Sequence, residues 1–172
     1  YEILRSEQKK FLENLSQRTD INTGTLKDIR RLSMQISARN QISGIVELIT
    51  NGTVNAEVYI KLKSGYTIVS VITNTAVSNL NLKLGDEVVA IFKSNTVLIT
   101  TDISLNISAR NKLQGKVDSI NKGEINSELI IDIGNGDKVA SIITSNSIDN
   151  LKIKEGAQVS AIIKASDVMI GK

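Results

Sequence analysis

Two stretches decide how this chain reads: SARNQISG at positions 37–44 and SARNKLQG at positions 108–115. Shifting the chain by about 71 residues aligns 37–99 with 108–170 without a gap, and about 25 of some 63 positions are then identical. The shared positions include Gly44/Gly115, Gly52/Gly123, Asn55/Asn126, Glu57/Glu128, Gly65/Gly136, Thr73/Thr144, Gly85/Gly156 and Lys93/Lys164. A fixed internal period defines the organisation: a leader over 1–36, one module over 37–100, a short connection over 101–107, and a second copy over 108–172.

Within each copy the pattern is mostly strand. Residues 42–50 and 53–62 flank Asn51-Gly52, a dipeptide that favours a two-residue hairpin, and Val54, Ala56, Val58 and Ile60 alternate with polar neighbours. A turn at Ser64-Gly65 leads into a strand over 67–72, and 74–80 has the composition of one or two helical turns. The segment 83–86, centred on Gly85, turns the chain into a strand over 87–93, and 96–99 closes the set. The second copy repeats this order, with turns at Lys122-Gly123 and Asn135-Gly136. The expected fold class is mainly β: two tandem OB-like five-stranded Greek-key barrels preceded by a helical leader. In that leader, 1–16 places Leu4, Phe11, Leu12 and Leu15 on one helical face, and 23–34 carries Leu26, Ile29 and Leu32 in a basic setting. About 65 residues supply little core, so pairing of the copies, and of two chains, is expected.

Composition restricts the chemistry. The 172 residues contain no Cys, His, Trp or Pro, which excludes disulfides, thiolate or imidazole metal ligands, cysteine nucleophiles and Ser-His-Asp triads. No general base or nucleophile of suitable type is in view, and no enzyme activity is expected. No apolar run of about 18 residues and no secretory leader pattern occurs, so no membrane association is expected and a cytoplasmic location is. A net charge of +3 suits a small anion as well as nucleic acid. Single-stranded nucleic-acid binding by OB barrels needs stacking aromatics, however, and only 3% of the residues are aromatic; lone Tyr59 and Tyr66 read as packing or surface.

The doubled tetrapeptide points to an oxyanion. Ser, a small Ala and Arg in succession offer a hydroxyl, approachable backbone N–H groups and a five-donor guanidinium. Thr73 and Thr144 precede short helices with unpaired first N–H groups, and Lys93 and Lys164 add a compact cation at the ends of the fourth strands.

These motifs, SARNQISG, NGTVNAEV, SVIT, LKLGDEV and FKSNTVLI in the first copy and SARNKLQG, KGEINSEL, SIIT, IKEGAQV and IKASDVMI in the second, together resemble the molbindin (Mop, TOBE-like) domain over about 134 residues. Phe11-Leu12-Glu13 and Arg31-Leu32-Ser33-Met34, running into SARN, resemble the linker helix of molybdate-responsive transcription regulators of the ModE type, whose winged helix-turn-helix part is absent from this chain. The resemblance implies a homodimer with molybdate or tungstate bound, as ligand rather than catalytic cofactor, at interfaces between modules, and DNA contact only through that winged-helix part. It places the anion between Ser37, Ala38, Arg39, Lys93 and Ser94 on one side and Thr73 of a partner module on the other. The matching residues of the second copy are Ser108, Ala109, Arg110, Lys164 and Ala165, with Thr144 and Ser147. The first copy departs from the pattern at Ala76, where the second has Ser147. A stand-alone molybdate storage or buffering protein is the alternative.

Overall fold

The computed structural model describes residues 35–172, and the helices expected over 1–16 and 23–34 lie outside the described residues. The first module contains β1 (Asn40–Asn51), β2 (Asn55–Leu62), β3 (Thr67–Thr73), helix α1 (Asn74–Asn79), β4 (Glu87–Phe92), a 3-10 turn at Ser94–Thr96, and β5 (Leu98–Thr100). The second repeats it: β6 (Asn111–Lys122), β7 (Asn126–Gly134), β8 (Asp137–Thr144), α2 (Ser145–Asn150), β9 (Gln158–Ile163), a turn at Ala165–Asp167, and β10 (Met169–Gly171). The described residues are mainly β, in two five-stranded antiparallel sheets that form tandem OB-like barrels.

Alternation sets the inner faces. In β2, Ala56, Val58, Ile60 and Leu62 are buried while Asn55, Glu57, Tyr59 and Lys61 are not. In β4, every residue from Val88 to Phe92 is buried, which is why this strand reads as a continuous apolar run. One hydrophobic cluster, with Ile60, Ile68 and Phe92 from the first module and Leu113, Leu129 and Ile163 from the second, extends through both. Gly44 is required by close approach of β2: a Cβ there would stand 2.6 Å from the Lys61 carbonyl oxygen.

Two expectations are corrected. The first hairpin does not turn on Asn51-Gly52: Asn51 is still laddered opposite Ala56, the Gly52 amide donates to the Asn55 carbonyl (2.8 Å), and Thr53-Val54 forms the tip. Glycine at position 52 serves clearance, since a Cβ would meet the Asn55 carbonyl oxygen at 2.9 Å.

The second correction concerns closure. The segment 96–99 does not close its own module's set. The sheets run β10-β4-β1-β2-β3 and β5-β9-β6-β7-β8, so each module's fifth strand pairs with the fourth strand of the other. Met169, Ile170 and Gly171 lie opposite Ile91, Ala90 and Val89, and Leu98, Ile99 and Thr100 lie opposite Ile162, Ala161 and Ser160. Buried hydroxyls hold the exchanged segments: Ser70 of β3 donates to the Val168 carbonyl (2.6 Å) and Ser141 of β8 to the Val97 carbonyl (2.8 Å). Within either module alone, those serines and the fourth-strand edge would lack these partners.

Candidate functional site

The last residue of each SARN is a clamp between modules. Asn111 is 1% exposed; its side-chain amide donates to the Val69 carbonyl (2.8 Å) and accepts from the Val69 amide (2.7 Å) on β3. Asn40, 2% exposed, makes the same two bonds to Ala140 of β8, at 2.8 and 2.7 Å. A primary amide presents the donor and acceptor of a peptide group, so one side chain completes a strand rung that the other module leaves open.

The preceding arginines are thereby carried across the same junction. Arg110 Nη1 donates to Glu57 Oε1 (2.7 Å) and Nη2 to the Tyr59 hydroxyl (3.0 Å), which donates in turn to Glu57 Oε2 (2.8 Å). The Tyr59 hydroxyl first, and the guanidinium second, hold the Glu57 carboxyl below its ordinary value; the same contacts push Arg110 further up. Arg39 pairs with Glu128, the repeat equivalent of Glu57, but position 130 is Ile where the first module has Tyr59. The Arg39 and Arg110 side chains remain 57% and 47% exposed, so these pairs contribute little stability, and their value is in aiming the guanidinium.

Strand register brings each lysine beside its arginine. Asn111 lies opposite Ile163 and Asn40 opposite Phe92, so Arg110 with Lys164, and Arg39 with Lys93, leave the sheet at a common end. On the second module this end opens into a cavity of about 540 Å³, lined by Ser108, Ala109, Arg110, Lys164 and Ala165 together with Val71, Thr96, Leu98, Ile107, Ile162, Ser166 and Asp167. Five expected donor positions therefore meet in one cavity, with Val71 and Leu98 contributed by the first module. The Asp167 carboxylate opposes an anion there, while two cations, hydroxyls and apolar walls favour one.

The remaining expected residues are placed elsewhere. Ser37 and Lys93 are exposed, Ala38 is half-buried, and Ser94 is buried. Thr73 and Thr144 cap α1 and α2, accepting from the amides of Ala76 (3.1 Å) and Ser147 (3.2 Å). Neither they nor Ser147 line the cavity; the Ser147 hydroxyl lies 2.7 Å from that of Thr144. The tyrosines read as packing or surface both bond across the modules: Tyr66 donates to the Gln114 carbonyl (3.0 Å), and Tyr59 meets Arg110. Asn40 and Asn111 were signalled by their identity in the repeat, as were Glu57 and Glu128; nothing in the sequence signalled Tyr59. Among the described residues no cluster of His, Cys, Asp or Glu is arranged to hold a metal ion, and no helix is long and apolar enough to cross a membrane.

Known proteins are similar to this chain in sequence and fold. A solved structure of the cytoplasmic molybdate-binding protein ModG with molybdate bound is 42% identical, with a TM-score of 0.77, covering 80% of this chain and 99% of that one. The molybdenum transport protein ModE of Azotobacter vinelandii is 37% identical over 175 residues, and the transcriptional regulator ModE of Yersinia pestis 32% over 171. Each alignment takes in 99% of this chain, which spans only 65% of the length of either relative. The TOBE domain model matches residues 36–99 and again 107–170, one match to each repeat, and the chain belongs to the TOBE-domain family.

Proposed function

We propose that this chain binds molybdate-class tetrahedral oxyanions and serves as the effector-sensing part of a molybdate-responsive regulator. The observation that carries the reading is the cavity in which Ser108, Ala109, Arg110, Lys164 and Ala165 converge, since two cations and a hydroxyl beside apolar walls suit a dianion that must shed water. Ser37, Ala38, Arg39, Lys93 and Ser94 are the equivalent set in the first module. Thr73 on one face and Thr144 with Ser147 on the other present exposed or half-buried donors, which a partner module in a homodimer would bring to the anion. Tungstate has nearly the same size, charge and acceptors and belongs to the same ligand class.

The match to the Yersinia pestis regulator through 99% of this chain supports the regulatory role. The match to 99% of the ModG chain favours a second reading, a freestanding oxyanion-binding protein. The gene upstream of Tyr1 separates them: a winged-helix segment in frame supports the regulator, and a start codon close by supports the freestanding protein.

Calorimetric titration with molybdate, tungstate and sulfate tests the binding itself. Arg39→Ala and Arg110→Ala each remove a charge-assisted bond of about 1.5–3 kcal/mol, or about ten- to a hundredfold in affinity at the site concerned. Sulfate competes poorly, because a smaller anion leaves donors spaced for a larger one unmet. Parent-like titration by both single variants and the double variant would overturn the assignment.

A further inference from the structure

We propose that Tyr59 is a positioning residue for the anion cavity of the second module, and that Ile130 at the equivalent place makes the two anion sites of one chain unequal. The inference rests on the oxyanion reading above and concerns a residue outside both donor sets.

The geometry is that of one rung held at two points. Tyr59 on β2 lies opposite Val69 on β3. Val69 is the residue whose amide and carbonyl are both taken by the Asn111 side chain. Asn111 thus fixes the backbone beside Arg110 to this rung, while the Tyr59 hydroxyl, across the ladder, receives the Arg110 guanidinium. The triangle Arg110–Tyr59–Glu57 is fully matched in donors and acceptors, because the tyrosine hydroxyl accepts from arginine and donates to the carboxylate. The Arg110 guanidinium carbon also lies 6.0 Å from the centre of the Tyr59 ring. The two bonds use one N–H on each terminal nitrogen of a five-donor group, so Arg110 is oriented with donors in hand for a ligand in the cavity it lines.

The pseudo-equivalent rung is Ile130 opposite Ala140, with Asn40 clamping Ala140. Its backbone half is the same and its side-chain half is missing: Ile130 offers no hydroxyl, and Arg39 is held by Glu128 alone among the described contacts. Immobilising a long, exposed side chain at the moment of binding weakens association, and a guanidinium ordered beforehand avoids that loss.

The test pairs anion titration with a readout that needs no anion. Tyr59→Phe keeps the ring and removes the hydroxyl. Its side-chain Nε–H relaxation by NMR, without ligand, is expected to show Arg110 more mobile and Arg39 unchanged, while molybdate titration shows only the tighter class of site weakened, by about two- to tenfold. Glu57→Gln is a second variant expected to loosen Arg110, and Ile130→Tyr is expected to order Arg39 and tighten the weaker class. Unchanged Arg110 mobility in Tyr59→Phe, equal weakening of both classes, or tighter binding would overturn the proposal. If the parent binds no oxyanion at all while Arg110 still loosens, the oxyanion reading falls and the positioning of Arg110 by Tyr59 stands.

Discussion

The two modules repeat the same seven elements in the same order, and they share the main contacts that join them while differing at several outward-facing positions. Asn40 and Asn111, Ser70 and Ser141, and the pairs Arg39–Glu128 and Arg110–Glu57 all act from one module on the other. On the outer surface, Ile45, Leu48 and Leu84 of the first module are exposed, and the equivalent positions of the second carry Lys116, Ser119 and Glu155. Repeat identity in this chain therefore includes the clamps of the junction between modules, alongside turn glycines such as Gly65/Gly136 and Gly85/Gly156. A contact present on one side alone, such as Tyr59 on Arg110, identifies a place where the copies have separate tasks.

The comparison breaks first at the clamps. Asn111→Ala leaves the Val69 amide and carbonyl without their partner at a buried junction, and Asn40→Ala does the same at Ala140. Each is expected to cost about 2–4 kcal/mol in urea unfolding, since two buried backbone groups lose their bonds. Equal losses support a symmetric junction; a loss below about 0.5 kcal/mol would mean that neither clamp holds it.

A smaller effect sharpens the comparison at the helix starts, where Ser147 stands against Ala76. With like modules paired across the dimer axis, Ser147→Ala is expected to weaken only the tighter class of oxyanion site, by about one order of magnitude. Limiting tungstate soaked into crystals checks the order of filling, and density appearing first beside Ala76 contradicts it.

The smallest effect is in pH. Lys172 bonds Asp86 (2.8 Å) and the Asn81 carbonyl (2.8 Å), tying the segment after β10 to the first module; Ala157 and Thr101 at the equivalent positions cannot form the ion pair. Lys172 first, and the Lys83 amide second, hold the Asp86 carboxyl below its ordinary value. A depressed acid contributes above its unfolded pKa, and the contribution is lost as pH falls through the folded one, so the tie weakens below about pH 3.9. Amide exchange at Gly171 is expected to accelerate there relative to Thr100, after correction for intrinsic rates, and Asp86→Asn reproduces the change at neutral pH.

Strands were legible because period-two alternation is a local signal: β2, β3, α1 and β4 fall within two residues of their expected bounds, although glycine placed the first hairpin turn too early. The exchange of β5 and β10 was not legible, and the repeat itself is the reason. Leu98-Ile99 and Met169-Ile170 carry the same pattern, so either strand satisfies either edge, and alternation assigns a face without assigning a partner. In the SARN motif the hydroxyl and guanidinium eclipsed the asparagine, whose partner lies 42 residues away in one copy and 100 in the other. The joining of Ser108–Arg110 to Lys164 followed from repeat and resemblance, whereas the role of Tyr59 depends on a partner 51 residues off.

The exchanged strands also set a timetable for synthesis. The first barrel needs β10, which follows every other element of the second module, so its β4 edge stays open while roughly 80 further residues are made, several seconds at about 5–20 residues per second. During that interval the nascent chain presents an unpaired, largely apolar strand edge, the kind of surface that neighbouring nascent chains can join. Pausing late in translation is therefore expected to promote misassembly between chains more than pausing early.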